Sequence, residues 1–396
     1  MFHRLCFPVE KKFFLIWNII LILSLSSCTK SDPSNPWSFS LGMEPIVFDP
    51  EVENPINTET GKRMDSSEDC ASCHKTIFDN WKLSKHREAF TNSLYKNSHA
   101  QEPLTWCVNC HAPLIEPGRD VDNPDERYLS SEGINCQVCH VRGKKIIASH
   151  LPPIQKERSA LFHAYRIEPE LSKSEFCASC HQFNFPKIKK NSEDSTITYS
   201  HLPMQNTYEE FRSTEMSKMG TCSDCHLLKD TVYSHSFPGG HDREKLSESL
   251  HIQIERVGRR TILTHVIASG IAHSFPTGDL FRTLRVTVKN SKQRTIEELA
   301  LKKIYRDAIQ TFREDGNTPS RVILGDNRIP PPDSGYVSQN SFPVGISEDD
   351  TELEFELYMD YLNPSSRILS DLPYEETVLP IKIIKLKVPE FDGLSG

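Results

Sequence analysis

The sequence predicts an α+β protein: a mainly helical, loop-rich region over 67–250, followed by a small antiparallel, Ig-like β-sandwich over 251–396. Three observations carry that prediction. One short Cys/His spacing recurs five times between Cys70 and His226 and then stops. Hydrophobic residues make up only 37% of the 396, where globular chains usually hold about 45–50%. After about His251 the pattern becomes period-two alternation broken by Gly, Pro, Asn and Asp clusters, as in half-buried strands.

Residues 1–27 read as a signal peptide. Arg4, Lys11 and Lys12 precede an apolar run from Phe13 to Leu25, which is short for a bilayer span and suits a signal core. The run ends in Leu25-Ser26-Ser27-Cys28, which is similar to the lipobox of bacterial lipoproteins. That resemblance implies lipidation at Cys28, cleavage before it, and a lipid-anchored protein of the cell envelope facing the periplasm. Thr29 after the cysteine favours the outer membrane over the inner. A single apolar run excludes a polytopic membrane protein, and the net charge of −8 disfavours nucleic acid. Removing residues 1–27 takes away three basic side chains and Glu10, leaving 43 basic against 53 acidic, or −10. Residues 28–66, with Pro33, Pro36, Pro45, Pro50 and Pro55, read as a proline-rich tether.

Five pairs of cysteines are each followed at once by histidine: Cys70/Cys73-His74, Cys107/Cys110-His111, Cys136/Cys139-His140, Cys177/Cys180-His181 and Cys222/Cys225-His226. Chance supplies about 0.01 such C-x-x-C-H motifs in a chain of this composition. Two thiols three positions apart can add to the two vinyl groups of one haem, and the adjacent imidazole then meets the iron from the same turn. Zinc sites want Cys and His in fours, redox C-x-x-C pairs need no following histidine, and disulfides would not place one there. The expected cofactors are five covalently attached haem c groups. The attachment histidines stand 37, 29, 41 and 45 residues apart. So few residues per haem cannot build a large side-chain core, so the rings must fill much of the interior. Helices and long loops, with few strands, are expected here.

Histidines outside the motifs are numerous enough to give every iron a second ligand, and bis-His ligation favours lower potentials than Met/His. Four stand out: His86 in Trp81-Lys82-Leu83-Ser84-Lys85-His86, His235 and His241 around Ser236-Phe237-Pro238-Gly239-Gly240, and His273 in His273-Ser274-Phe275-Pro276-Thr277-Gly278. His99, His150, His163 and His201 are weaker candidates. His251 and His265 are weaker still, since His265 lies in an apparent strand.

The run Trp81…Ser84…His86, the segment Glu132-Gly133-Ile134-Asn135-Cys136-Gln137-Val138-Cys139-His140, and the two His-Phe-Pro-Gly-like turns resemble the multihaem c-type cytochromes. The likeness is to the cytochrome c-five-five-four family, within a superfamily that includes hydroxylamine oxidoreductase and pentahaem nitrite reductase. It spans about 67–280. It implies a mainly α-helical haem region with haems in stacked and perpendicular pairs. It also implies that His86 is a distal ligand to a haem other than its sequence neighbour. The nitrite reductases attach their catalytic haem with Lys in place of the motif His, whereas all five motifs here end in His, which argues against that chemistry.

In the C-terminal third, strands are expected at Thr261–Ala268, Thr283–Val288, Leu353–Tyr358 and Ile381–Val388. Ile296–Phe312 permits a helix or two strands, and Arg328–Asp333, with three prolines, must be a loop or a sheet-edge crossing. His273 is placed to reach across to the haem region.

The function expected is single-electron relay between exported redox partners, either other cytochromes or a quinol-linked membrane oxidoreductase, with no catalytic residue assigned. Two alternatives compete. One is a haem oxidoreductase acting on a small nitrogen or sulfur compound at a five-coordinate iron. The other is a lipoprotein whose β domain scaffolds other cytochromes.

Overall fold

The computed structural model describes residues 56, 60–62, 64, 66–101, 107–114, 130–142, 145–149, 165–187, 199–227, 234–307, 321–362 and 364–391. The signal peptide, Cys28 and nearly all of the proline-rich stretch lie outside these residues, as do His150 and His163. Among the described residues no helix is long and apolar enough to cross a membrane.

The first region is organised by the cysteine motifs. Ser66 begins the helix Ser67–Lys82, accepting from Asp69 N while the Asp69 carboxylate accepts from Ser66 N, a reciprocal cap that satisfies two otherwise orphan donors. His74 interrupts this helix with φ −107° and ψ 39°. The remaining motifs form helices of little more than one or two turns: Val108–His111, Cys136–His140, Ser174–His181 and Cys222–His226. Asn135 Oδ1 caps the third by accepting from Val138 N at 3.1 Å, and the Asp224 carboxylate caps the fifth by accepting from Thr221 N at 2.7 Å.

Strands are more prominent here than the sequence suggests. Strands β1 (Val141–Arg142), β2 (Lys145–Ala148) and β3 (Tyr165–Ile167) make one small sheet, and β4 (Gln182–Pro186) pairs antiparallel with β5 (Tyr199–Asn206). The reason is local. The second to fifth motif helices end at their histidines, and the chain that leaves the third and fourth motifs runs extended into a strand.

The C-terminal region opens with β6 (Leu250–Gly258) directly after the helix Arg243–Ser249. Strands β7 (Thr261–Ser269), β8 (Thr283–Asn290), β9 (Thr295–Leu301), β10 (Lys303–Asp307), β11 (Arg321–Asp326), β12 (Val337–Gly345), β13 (Glu352–Asp360) and β14 (Val378–Lys387) follow. They form antiparallel sheets of order β12-β7-β6 and β14-β13-β8-β9, plus a β10-β11 hairpin. Ile296–Phe312 thus supplies two strands as far as Asp307, rather than a helix. Alternate residues of the two sheets (Leu353, Phe355, Leu357 and Met359 on β13, Leu284, Val286 and Val288 on β8, Leu250 and Ile252 on β6, Ile262 and Val266 on β7) meet in one buried core, as period-two side-chain direction requires. The edge strand β14 carries Lys382, Lys385 and Lys387. The helix Arg243–Ser249 covers part of it, with Arg243 Nε donating to Ile381 O at 3.2 Å and Lys382 reaching Ser247 O. Charge and cover both blunt an exposed edge.

Candidate functional site

Two sequence segments that carry the family resemblance lock together. Gly133 has φ +58°, and a Cβ on it would stand 2.6 Å from the His86 carbonyl oxygen, so only glycine allows that approach. Ile134 N donates to the same carbonyl at 2.9 Å. Trp81 Nε1 donates to Ile134 O at 2.8 Å. The buried Glu132 carboxylate accepts from Ser67 N and Ser67 Oγ at 3.1 and 3.0 Å and from Asn135 Nδ2 at 3.3 Å. Glu132 thus ties the first motif helix to the third, while the turn Gly133-Ile134 and Trp81 fix the position of His86.

Three attachment histidines point their Nδ1 at backbone carbonyls: His111 at Ala89 O (2.6 Å), His140 at Ile147 O (3.0 Å) and His226 at Pro238 O (2.7 Å). Nδ1–H donated to a carbonyl leaves Nε2 unprotonated and facing away, the tautomer a metal ligand needs. His273 does the same with Ser274 O at 3.1 Å.

Three pairs of imidazoles face one another. His86 stands 6.3 Å from His181 between ring centres, His140 6.1 Å from His235, and His226 6.4 Å from His273, the last pair only 9° from parallel. Two imidazoles on opposite sides of one metal ion, each bonded at about 2.0–2.1 Å, hold their ring centres about 6.3 Å apart. The residues present therefore fit an iron between each pair. Each pair joins an attachment histidine to one of the four outlying histidines singled out from the sequence. The Phe237 ring, at φ +49°, packs edge-on at 4.4 Å from His86 and 5.8 Å from His235, separating two of the pairs.

Solvation agrees with this arrangement. Burial, with the neighbouring His181, His226 and His235, holds His86 down at about 3. Burial and nearby His226 hold His181 at about 4, and the same causes hold His273 at about 4. All three are neutral imidazoles at neutral pH, the form that binds metal.

The other candidates fall elsewhere. His241 stacks on Tyr361 at 4.1 Å, and its Nε2 sits 3.5 Å from an Arg282 Nη2. Burial and the Arg282 charge hold it at about 2. His99 and His111 both stack on Tyr95, at 5.4 and 4.1 Å. His265 Nδ1 bonds Ser341 Oγ at 2.8 Å within the β region, so it packs where its strand puts it. Among the described residues no facing histidine is found for His74 or His111. No three His, Cys, Asp or Glu side chains of the described residues converge on a metal-sized site.

The attachment cysteines also mark which motifs adjoin. Cys70 lies beside Cys136, Cys180 beside Cys110, and Cys177 beside Cys222, with Cys139 close to Cys177. Cys73 and Cys225 are exposed, and the other eight attachment cysteines are half-buried. A cleft between the first and third motifs is lined by Met64, Cys70, Cys136, Gln137, His140, Val141 and Ile146. No sequence pattern announces these contacts, because they join residues 38 or more positions apart.

The β region reaches into this site. Phe275 and Ile329 exchange backbone hydrogen bonds at 2.8 and 2.9 Å. Arg328 Nη1 donates to Pro276 O at 3.0 Å, beside the loop that carries His273. The stretch Arg328–Asp333 is thus a loop that clamps another loop, and no sequence pattern singles out Arg328 for that role.

Residues 69–141 match the family described as cytochrome c554 and c-prime. No curated protein matches the sequence at a significant level. Among solved structures, a penta-heme cytochrome c552 from Thermochromatium tepidum is similar, with a TM-score of 0.59 and 20% identity over 82% of this chain and 98% of that one. At that identity the likeness is one of fold.

Proposed function

Starting from a multihaem c-type cytochrome of the c554-like family, we propose that this protein relays single electrons through five haem c groups between redox partners of the cell envelope. Haem supplies one-electron Fe(III)/Fe(II) chemistry when bound. The chain's own residues would attach it and, at three of the five sites, would offer the iron a second imidazole. Cys70/Cys73, Cys107/Cys110, Cys136/Cys139, Cys177/Cys180 and Cys222/Cys225 would form the thioethers, with His74, His111, His140, His181 and His226 as first axial ligands. His86, His235 and His273 would be second ligands to the irons at His181, His140 and His226. His241 is the buried neutral imidazole left to serve one of the two others. The redox potential of such sites depends on axial ligands, burial and nearby charge.

The observation that carries the relay reading is the three imidazole pairs set 6.1–6.4 Å apart. An iron held between two such imidazoles would transfer electrons and would offer no place for a substrate. The motif contacts support a path as well: first motif to third, third to fourth, and fourth to both second and fifth, with the exposed Cys73 and Cys225 at its ends. The two packed antiparallel sheets fit an Ig-like sandwich that braces the fifth site. Anchoring through lipidated Cys28, and partners that are other cytochromes or a quinol-linked membrane oxidoreductase, complete the proposal.

Spectra of the reduced protein with carbon monoxide test it. The relay reading expects no ligand-induced change at the haems of His140, His181 and His226, where a second imidazole faces the first. A carbon monoxide-binding haem, together with nitrite- or hydroxylamine-dependent turnover, overturns it in favour of an oxidoreductase.

A further inference from the structure

Arg282 lies against His241, and no acidic partner for it is found among the described residues. It precedes β8, half-buried. Its Nη1 donates to Thr277 O at 3.0 Å, and its Nη2 lies 3.5 Å from His241 Nε2, the limit of a hydrogen bond. Two glycines make room for it. A Cβ on Gly278, at φ +89°, would stand 2.9 Å from Nη1, and one on Gly240 would stand 3.4 Å away. The acids nearby are committed elsewhere: Asp279 Oδ1 accepts from Phe281 N at 2.9 Å, and Glu210 accepts from Arg328 at 2.6 Å. The guanidinium is close enough to His181 and His241 for its charge to act on both.

A half-buried guanidinium normally faces a carboxylate, and its planar fork suits two carboxylate oxygens. Each haem carries two carboxylates that must end somewhere. We propose that Arg282 is the counter-charge for the carboxylates of the haem attached at Cys177 and Cys180, and that it raises that haem's reduction potential. The inference rests on the reading that haem c occupies the His181 site. Reduction adds one electron to Fe(III) and gives Fe(II), so a fixed positive charge nearby favours the reduced form, most strongly where water is sparse.

The test is a redox titration of the full-length exported protein, followed optically and by electron paramagnetic resonance. Arg282→Gln is expected to lower one of the five couples by at least tenfold in its reduction equilibrium, about 59 mV for one electron, to lower at most one other, that of an iron served by His241, by less, and to leave the rest in place. Arg282→Lys, which keeps the charge, is expected to return that couple to within about threefold of the parent protein. Gly278→Ala, which displaces the guanidinium without removing it, is expected to lower the same couple and serves if the Gln variant does not fold. Unmoved couples, or five couples moved together, overturn the inference. If mass spectrometry finds no haem on Cys177 and Cys180 of the parent protein, the underlying reading fails. If haem is there and no single couple shifts, only the role of Arg282 fails.

Discussion

Arg328 Nη2 donates to Glu210 Oε1 at 2.6 Å, with both side chains almost fully buried. Arg328 lies in the β region and Glu210 on the short helix Thr207–Arg212 of the cysteine-rich region, so one ion pair crosses between them. Asp326 completes the guanidinium's partners at 2.7 Å, Thr277 Oγ1 donates to Glu210 at 3.3 Å, and Lys303 stands 4.0 Å from the same carboxylate. The loop carrying His273 is bound into this network through Thr277 and Pro276.

Arg328→Met leaves Glu210 buried and without its main partner, a change that usually costs about 3–5 kcal/mol. Urea unfolding is expected to show a loss of that order. Electron paramagnetic resonance is expected to show one haem turning high-spin, because the His273 loop loses its clamp. A variant as stable as the parent contradicts the account of this network.

Gly133→Ala forces a side chain into a left-handed position against the His86 carbonyl. The backbone conformation alone costs more than about 1 kcal/mol, and the 2.6 Å approach adds to it. Unfolding midpoints are expected to fall, and the signal of the haem attached at His181 to change, since His86 moves with its carbonyl.

Single alanine substitutions separate ligands from packing histidines. His86→Ala, His235→Ala and His273→Ala are each expected to open one iron to carbon monoxide. His265→Ala, which loses only the Ser341 hydrogen bond, is expected to leave the spectrum unchanged. Three unaltered spectra among the first group would contradict the pairings.

Acid is expected to destabilise the protein. His86, His181 and His273 stand near 3–4 in the fold against an ordinary 6.5. The unfolded chain therefore takes up protons that the folded one refuses. Their contribution is full above pH 6.5 and is lost as pH falls from there toward 4 and 3. Urea midpoints measured from pH 7 to pH 4 are expected to decline steadily, and a flat profile contradicts the assignment.

Much of this was legible in the residues. The C-x-x-C-H repeats stand out because the motif is local: five consecutive residues hold all its chemistry. Alternation at Leu353–Tyr358 and Thr283–Val288 marked strands because one sheet face is buried. Segments such as Thr295–Asp307 stayed ambiguous because their outward face is charged and irregular. The pairing of His86 with His181 was beyond the sequence, since it depends on Gly133 and Trp81 folding back over 50 residues. The small strands after His140 and His181 were missed because so little side-chain core marks them. Arg328 and Arg282 were missed because an isolated arginine carries no pattern, and only the fold shows whether a carboxylate meets it.

Covalent porphyrin, held by ten thioethers in the interior of the cysteine-rich region, is what the relay reading stands on. Intact-mass spectrometry of the exported protein, repeated with each Cys-x-x-Cys pair replaced by alanines, tests it most directly. Five added haem masses are expected in the parent protein and four in every pair variant. A protein that carries no covalent haem, or that stays compact and colourless without it, contradicts the account.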